Sequence, residues 1–123
     1  MIQISEAESR VMQVLWDAAP RSADDVIAAL ADAGWAEATI KTLLNRLLTK
    51  GALSAEKDGR RFLYRPAIER DAWVLEESRS LLDRLFDGRV APLVAHFSQH
   101  RRLSPADVAQ LRQLLEEMDD DQH

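Results

Sequence analysis

The spacing of apolar residues changes from that of a helix to that of a strand at Gly51, and this change limits the folds open to the chain. Over residues 36–50 the apolar positions recur at the i, i+3, i+4 spacing of a helix with one buried face. Residues 53–57 then suit a strand, and Asp58-Gly59 predicts a two-residue hairpin turn that leads into a partner strand over 60–65. Because a lone hairpin is marginal in water, it must pack against the preceding helices.

Two further helices are predicted before this unit. Ser5 and Glu8 form a capping-box pattern at the start of the first helix, and Ser22 with Asp25 repeats it at the start of the second. Gly34 stands where a left-handed C-terminal cap of the second helix is expected. The order helix, helix, helix, hairpin is that of a winged helix-turn-helix, whose third helix enters the major groove of DNA.

Three more helices are predicted after the hairpin. The first covers about 68–86, a short one follows Gly88, and Ser104 with Pro105 marks the start of the last. We therefore expect a mostly α fold with a small β-hairpin wing, in which a winged helix-turn-helix is followed by a three-helix dimerisation region. The predicted domains are a DNA-binding domain over 1–66 and a helical dimerisation domain over 67–123.

The charge of the chain is concentrated in one segment. The net charge is −5, but residues 41–65 carry seven basic and two acidic side chains. Binding to phosphate depends on the local field, so this cationic block favours a nucleic-acid partner despite the acidic total. The acidic segments on either side favour an alternative, a winged-helix protein-interaction module that does not read DNA.

The composition excludes several other classes of protein. The chain has no cysteine, which removes disulfides, thiolate nucleophiles and cysteine-based metal sites. It has neither a glycine-rich phosphate loop nor a Gly-x-Ser-x-Gly motif, so we expect no enzyme and no cofactor. No apolar run approaches the ~20 residues that cross a bilayer, and no secretory signal opens the chain. A cytoplasmic protein without a membrane partner is expected.

The third predicted helix carries the side chains that DNA recognition requires. Arginine and asparagine make two-point hydrogen bonds to guanine and adenine, and lysine binds phosphate. Polar residues, including Thr49, lie opposite the leucine stripe, Trp35 precedes the helix, and arginines flank the predicted turn. Each feature alone is also common on a solvated surface. The predicted DNA-binding residues are Trp35, Thr39, Lys41, Thr42, Asn45, Arg46, Lys57, Arg60 and Arg61.

Residues 34–53, GWAEATIKTLLNRLLTKGAL, closely resemble the penicillinase-repressor family, also called BlaI/MecI. The opening Glu6-Ala7-Glu8 and the wing over 56–66, EKDGRRFLYRP, are also similar, and the resemblance covers nearly the whole chain. It implies a homodimeric transcriptional repressor that binds an inverted repeat, with one winged helix on each half-site and the C-terminal helices holding the dimer. By position it places at the DNA Trp35, Thr39, Lys41, Thr42, Arg46, Arg60 and Arg61.

The resemblance also bears on how such a repressor is released from DNA. In the best-known members, a membrane-bound sensor protease cleaves an Asn-Phe bond in the helix before the last one. Phe97 matches this pattern, but His96 stands where asparagine is expected. A copper-responsive branch carries paired cysteines near its C-terminus, and this chain has none.

The C-terminal region is too small to bury its own apolar residues. Residues 67–123 barely suffice for a separate core, so a second copy of the chain is the expected partner, with packing on the N-terminal domain as the alternative. His96 and His100 lie four residues apart, but no third ligand is near, and we predict no metal site. Their protonation is a second possible switch. The predicted dimer-interface residues are Trp73, Leu81, Leu85, Leu93, Phe97, Leu111 and Leu115.

Overall fold

The computed structural model describes residues 2–121 and confirms the predicted mostly helical fold with a small wing. The elements are α1 (Glu6–Asp17), β1 (Arg21–Ser22), α2 (Ala23–Ala29), a 3-10 turn (Ala31–Ala33), α3 (Glu37–Lys50), β2 (Leu53–Asp58), β3 (Arg61–Pro66), α4 (Arg70–Leu85), α5 (Val90–Gln99) and α6 (Pro105–Asp121).

The chain forms two compact units, one ending at Val74 and one beginning at Leu75. The first unit extends past the boundary expected after residue 66, because the start of α4 packs on α1. The rings of Trp16 and Trp73 lie 5.5 Å apart, and Trp16 Nε1 donates a hydrogen bond of 3.0 Å to the carbonyl oxygen of Ile68. The functions assigned to the two predicted domains remain predictions.

Capping boxes start the first two helices, as predicted. Ser5 Oγ accepts from the backbone N–H of Glu8 at 3.1 Å, and Ser22 Oγ accepts from that of Asp25 at 3.2 Å. The end of the second helix differs from the expectation. α2 stops at Ala29, and Gly34, with φ +72°, closes the short 3-10 turn instead of α2.

The core of the first unit lies between the first three helices and the base of the wing. The predicted stripe of α3 is buried at four positions, and Leu48 at its edge is half-buried. α3 therefore has one face in the core and the opposite face in solvent. The buried apolar residues are Val11, Met12, Leu15, Val26, Leu30, Ile40, Leu43, Leu44, Leu47, Ala52 and Leu53.

The sheet has the strand order β1-β3-β2 and is antiparallel throughout. The hairpin strands pair from Leu53 opposite Pro66 to Asp58 opposite Arg61, so the turn consists of Gly59 and Arg60. The turn expected at Asp58-Gly59 is thus one residue too early. The sequence reading also missed β1, which pairs with the middle of β3 and ties the wing to the start of α2.

The three C-terminal helices begin and end close to the predicted positions. α4 ends before a left-handed turn in which Asp87 has φ +52° and Gly88 has φ +76°. α6 starts with reciprocal hydrogen bonds of 3.0 and 3.1 Å between Ser104 and Asp107. No residue of α4, α5 or α6 that the structure describes is buried.

Candidate nucleic-acid interface

The solvent-facing side of α3 carries the polar residues that the sequence singled out. Burial of Ile40, Leu43 and Leu47 in the core fixes the rotation of the helix about its axis. The opposite side is consequently held in solvent by the packing of the core. The exposed residues on α3 include Thr39, Lys41, Thr42, Asn45 and Arg46.

The polar side chains of this face differ in how available their hydrogen-bonding groups are. The hydroxyl groups of Thr42 and Thr49 donate to backbone oxygens one turn earlier, at 2.9 and 3.0 Å. These hydroxyls are already used, so the methyl groups are the more available contacts, and a methyl group suits thymine. Within residues 2–121, no hydrogen bond or ion pair engages the side chain of Asn45 or of Arg46. Both keep their donors free for a base edge or a phosphate.

Trp35 stands before the N-terminus of α3 and is half-buried against the core. The guanidinium carbon of Arg10, on α1, lies 5.3 Å from the centre of its ring, which is cation–π distance. Arg10 thus adds a positive charge near the N-terminal end of the exposed polar face of α3. The sequence reading missed Arg10, because it lies outside the cationic block and nothing in the local pattern links it to Trp35.

The two arginines at the tip of the wing have different surroundings. Arg60 lies in the turn, and no ion pair involves it among the residues that the structure describes. Arg61 donates from Nε and Nη2 to Asp58 Oδ2, each at 3.4 Å. Lys57 is exposed and pairs across the hairpin with Phe62, whose side chain is 50 % exposed. Within residues 2–121, the tip of the wing therefore offers one unpaired guanidinium, that of Arg60, and one partly neutralised guanidinium, that of Arg61.

Acidic residues lie at the margin of the basic face. A shallow cleft of about 280 Å³ is lined by the start of α2, by Lys41 and by the wing. Hydrogen bonds from the backbone and side chain of Ser22 lower the pKa of Asp25, and the positive charges of Arg61 and Arg21 lower it further. Asp25 is thus held as an anion beside the wing, and any phosphate must avoid it.

Lys50, although part of the cationic block, serves the fold. Its Nζ forms an ion pair with the buried carboxylate of Glu8 and donates at 2.9 Å to the carbonyl oxygen of Gln3. Burial opposes ionisation of Glu8, but the hydrogen bonds from Lys50 and Ser5 outweigh it and lower the pKa of Glu8 below its usual range. This ion pair joins the start of α1 to the end of α3.

The residues predicted for the dimer interface fall into two groups. Trp73 is half-buried and packs against Trp16 within the first unit, with the two ring planes tilted by 36°. The others lie on α4, α5 and α6 in the second unit. There, Leu93, Phe97 and Leu111 line an apolar groove of about 340 Å³. Exposed side chains of this set are Leu81, Leu85, Phe97 and Leu115.

Within residues 2–121, no group of three or more histidine, aspartate or glutamate side chains is placed to hold a metal ion together. None of the helices in this range is both long and apolar enough to span a bilayer.

Comparison with known proteins places the chain among repressors. The family model described as "Penicillinase repressor" matches residues 4–117. The penicillinase repressor of Bacillus licheniformis is 38% identical over 116 residues, which cover 94% of this chain and 91% of that protein. The family and this relative are repressors rather than enzymes, which confirms the prediction that the chain is not an enzyme.

Two solved structures of BlaI are similar to a little over half of the chain. The DNA-binding domain of the repressor BlaI is 43% identical, with a TM-score of 0.53 over 56% of this chain and 85% of that one. Monomeric B. licheniformis BlaI, solved in complex with the blaP half-operator, is 42% identical, with a TM-score of 0.51 over 58% of this chain and 89% of that one. The matching sequence model, the extent of identity and the winged-helix architecture together show that the chain belongs to the penicillinase repressor family.

Proposed function

We propose that the protein is a DNA-binding transcriptional repressor that acts as a homodimer on an inverted-repeat operator. α3 enters the major groove, and the wing formed by β2 and β3 lies on the DNA backbone. Repression itself rests on the family, since neither the recognition face nor the wing distinguishes a repressor from an activator. A protein that binds a promoter must be in the same compartment as the DNA, so the proposed function implies a cytoplasmic location.

The observation that carries the proposal is the exposed face of α3. Asn45 and Arg46 present free donors on a helix whose other face is locked into the core. A similar repressor has been solved with its half-operator DNA, which supports transfer of the binding mode to this chain. Arg46 is the side chain best suited to read guanine, because a guanidinium matches the two acceptors of that base.

The C-terminal helices support a homodimer. None of their described residues is buried, although they carry several large apolar side chains. Leu85 is 62% exposed and Leu115 is 61% exposed. Apolar surface of this kind is removed from water most simply by a second copy of the same helices. A dimer also presents two recognition helices, about 34–36 Å or a multiple apart, to the two halves of a palindrome.

Proteolytic induction has no support at the expected position. The helix α5 includes Phe97, but His96 replaces the asparagine of the cleaved bond in the family pattern. Regulation by a sensor protease would therefore need a different cleavage site.

The proposal is tested by titrating the purified protein against duplexes tiled across the region upstream of its gene, at two salt concentrations. We expect sequence-selective binding by two protomers per site. The logarithm of affinity should fall steeply with that of salt, with a slope near −0.9 per phosphate contacted. Weak binding that is equal on all duplexes would contradict the proposal and favour a protein-interaction module.

Arg46→Ala tests the recognition face on the operator found in this way. Loss of a bidentate contact to guanine should weaken operator binding by about 1–3 kcal/mol, while non-specific binding changes less. Thr49→Val is a matched control on the same helix, since it keeps the methyl group and removes only the hydroxyl, which is bonded to the carbonyl oxygen of Asn45. Unchanged operator affinity in Arg46→Ala would show that another face reads the DNA.

A further inference from the structure

A pair of histidines, His96 on α5 and His100 at the C-terminal cap of that helix, has no role in the DNA-binding function. His96 and His100 are exposed, and their ring centroids lie 4.6 Å apart with an angle of 51° between the ring planes. The backbone N–H of His100 donates to the carbonyl oxygen of His96 at 3.2 Å, so the helical spacing holds up to His100. The pair is therefore placed by a regular helix.

The close approach of the two rings suits a shared metal ion. Two imidazole nitrogens that bind one tetrahedral ion at 2.0–2.1 Å lie roughly 3.3 Å apart. These nitrogens lie at the edges of the rings, so a centroid separation of 4.6 Å is compatible with both rings binding one ion. The i, i+4 spacing is also the one by which helical histidine pairs hold zinc in enzymes.

Neighbouring aromatic rings and backbone hydrogen bonds limit the movement of the two histidines. The rings of Phe86 and Phe97 lie 6.2 and 6.1 Å from that of His96. After the cap residue His100 the chain turns at Arg101, which has φ +56°, and the backbone N–H of Arg102 donates to the carbonyl oxygen of Phe97 at 2.8 Å. These contacts hold the last turn of α5 in place, so metal binding requires little further ordering of the backbone.

The chemistry of the donors defines the class of ion. Two imidazoles without a thiolate suit borderline divalent metals such as Zn²⁺, Ni²⁺ and Cu²⁺, whereas hard ions such as Mg²⁺ prefer oxygen ligands. Arg101 and Arg102 follow directly, so charge alone does not attract a cation to this position. A metal that forms strong bonds to nitrogen lone pairs tolerates these arginines better than a hard ion does.

We propose that His96 and His100 together bind one borderline divalent metal ion per chain, with water in the remaining coordination positions. The proposal departs from the prediction that the chain has no metal site. Within residues 2–121 no group of three or more side chains is placed to bind a metal ion, and the proposal agrees with this because it involves only two side chains. It is independent of DNA binding, because the metal is held by α5 in the free protein.

The test is equilibrium dialysis of the tag-free full chain against Zn²⁺, Ni²⁺, Cu²⁺ and Mg²⁺ in the absence of DNA. We expect one bound ion per chain, Cu²⁺ held more tightly than Zn²⁺, and no uptake of Mg²⁺ under the same conditions. Affinity should fall toward acidic pH, because protons compete for the same nitrogens.

Three variants locate the site. H96Q and H100Q should each lower the affinity for Zn²⁺ by roughly tenfold or more, since a single imidazole then holds the ion without a chelating partner. H123Q removes the third histidine of the chain and should leave the affinity unchanged. Circular dichroism of each variant checks that the helices are retained. The proposal is overturned if the parent binds no Zn²⁺, if H96Q and H100Q bind it as tightly as the parent, or if H123Q alone loses it.

Discussion

Arg60 and Arg61 are adjacent in the wing, but among residues 2–121 only Arg61 has a side-chain partner. Arg61 is hydrogen-bonded to Asp58 and lies close enough to Asp25 to lower the pKa of that carboxyl. A phosphate that binds Arg61 must displace or share these interactions. A phosphate that binds Arg60 displaces no such interaction, so Arg60 is the stronger candidate for a contact with the DNA backbone.

We therefore expect Arg60→Ala to reduce the salt dependence of operator binding more than Arg61→Ala does. Loss of one phosphate contact should lower the slope of log affinity against log salt by about 0.9. Arg61→Ala also uncovers Asp58, so the double variant D58N/R61A is the matched control. If Arg60→Ala and D58N/R61A change the slope equally, the pairing of Arg61 with Asp58 does not affect phosphate binding.

The Glu8–Lys50 pair predicts how stability depends on pH. The pKa of Glu8 is lowered in the folded protein, so ionised Glu8 stabilises the fold above the ordinary value of 4.5, and this contribution is lost as the pH falls through the lower folded value. Because Lys50 is 37% exposed, solvent screens the pair.

Replacing Glu8 by glutamine should lower the free energy of unfolding by about 1–2 kcal/mol at neutral pH. The difference from the parent should shrink as the pH falls below 4.5, because the parent carboxylate then becomes neutral as well. Urea unfolding at a series of pH values measures both effects. A difference that is constant from neutral to acidic pH would contradict the assigned role of the Glu8 charge.

The C-terminal cap of α3 controls how the recognition helix leads into the wing. Gly51 has φ +82°, its N–H donates to the carbonyl oxygen of Leu48 at 3.0 Å, and that of Ala52 donates to Leu47 at 2.9 Å. A Cβ added at Gly51 would meet no atom within 4 Å. Any cost of a side chain here therefore comes from the backbone conformation and not from a clash.

Gly51→Ala should destabilise the protein by about 1–2 kcal/mol, the cost of a left-handed alanine. Gly51→Asn should cost less, because asparagine adopts this conformation more readily. Chemical denaturation of the two variants beside the parent measures the difference. If both variants lose the same free energy, the space around the residue matters more than its φ angle.

The assembly of two copies is tested on α6. Leu115→Glu places a charge on an exposed apolar position and should convert the proposed dimer to monomers in sedimentation experiments. Operator affinity should then fall by more than in Arg46→Ala, since the two half-sites are no longer bound together. Ala109→Glu, also exposed on α6, is the control and should remain dimeric. A dimeric Leu115→Glu with full operator affinity would place the interface elsewhere.

Much of the first unit follows from interactions between near neighbours. Ser22 and Asp25 start a helix because their capping bonds span three residues, and the leucine stripe of α3 follows from the period of the helix. The polar face of α3 was predictable for the same reason. Once the buried residues of a helix are known, the residues opposite them are known as well.

Contacts between distant residues were not predictable in this way. The pairing of Arg21 with Tyr64, the ion pair of Lys50 with Glu8 and the packing of Trp73 against Trp16 join residues more than forty positions apart. No local pattern marks such partners, because they meet only when the helices and the wing have packed. Local capping, periodicity and turn residues thus determine the elements and the recognition face, whereas packing determines which charges of the basic block remain free for DNA.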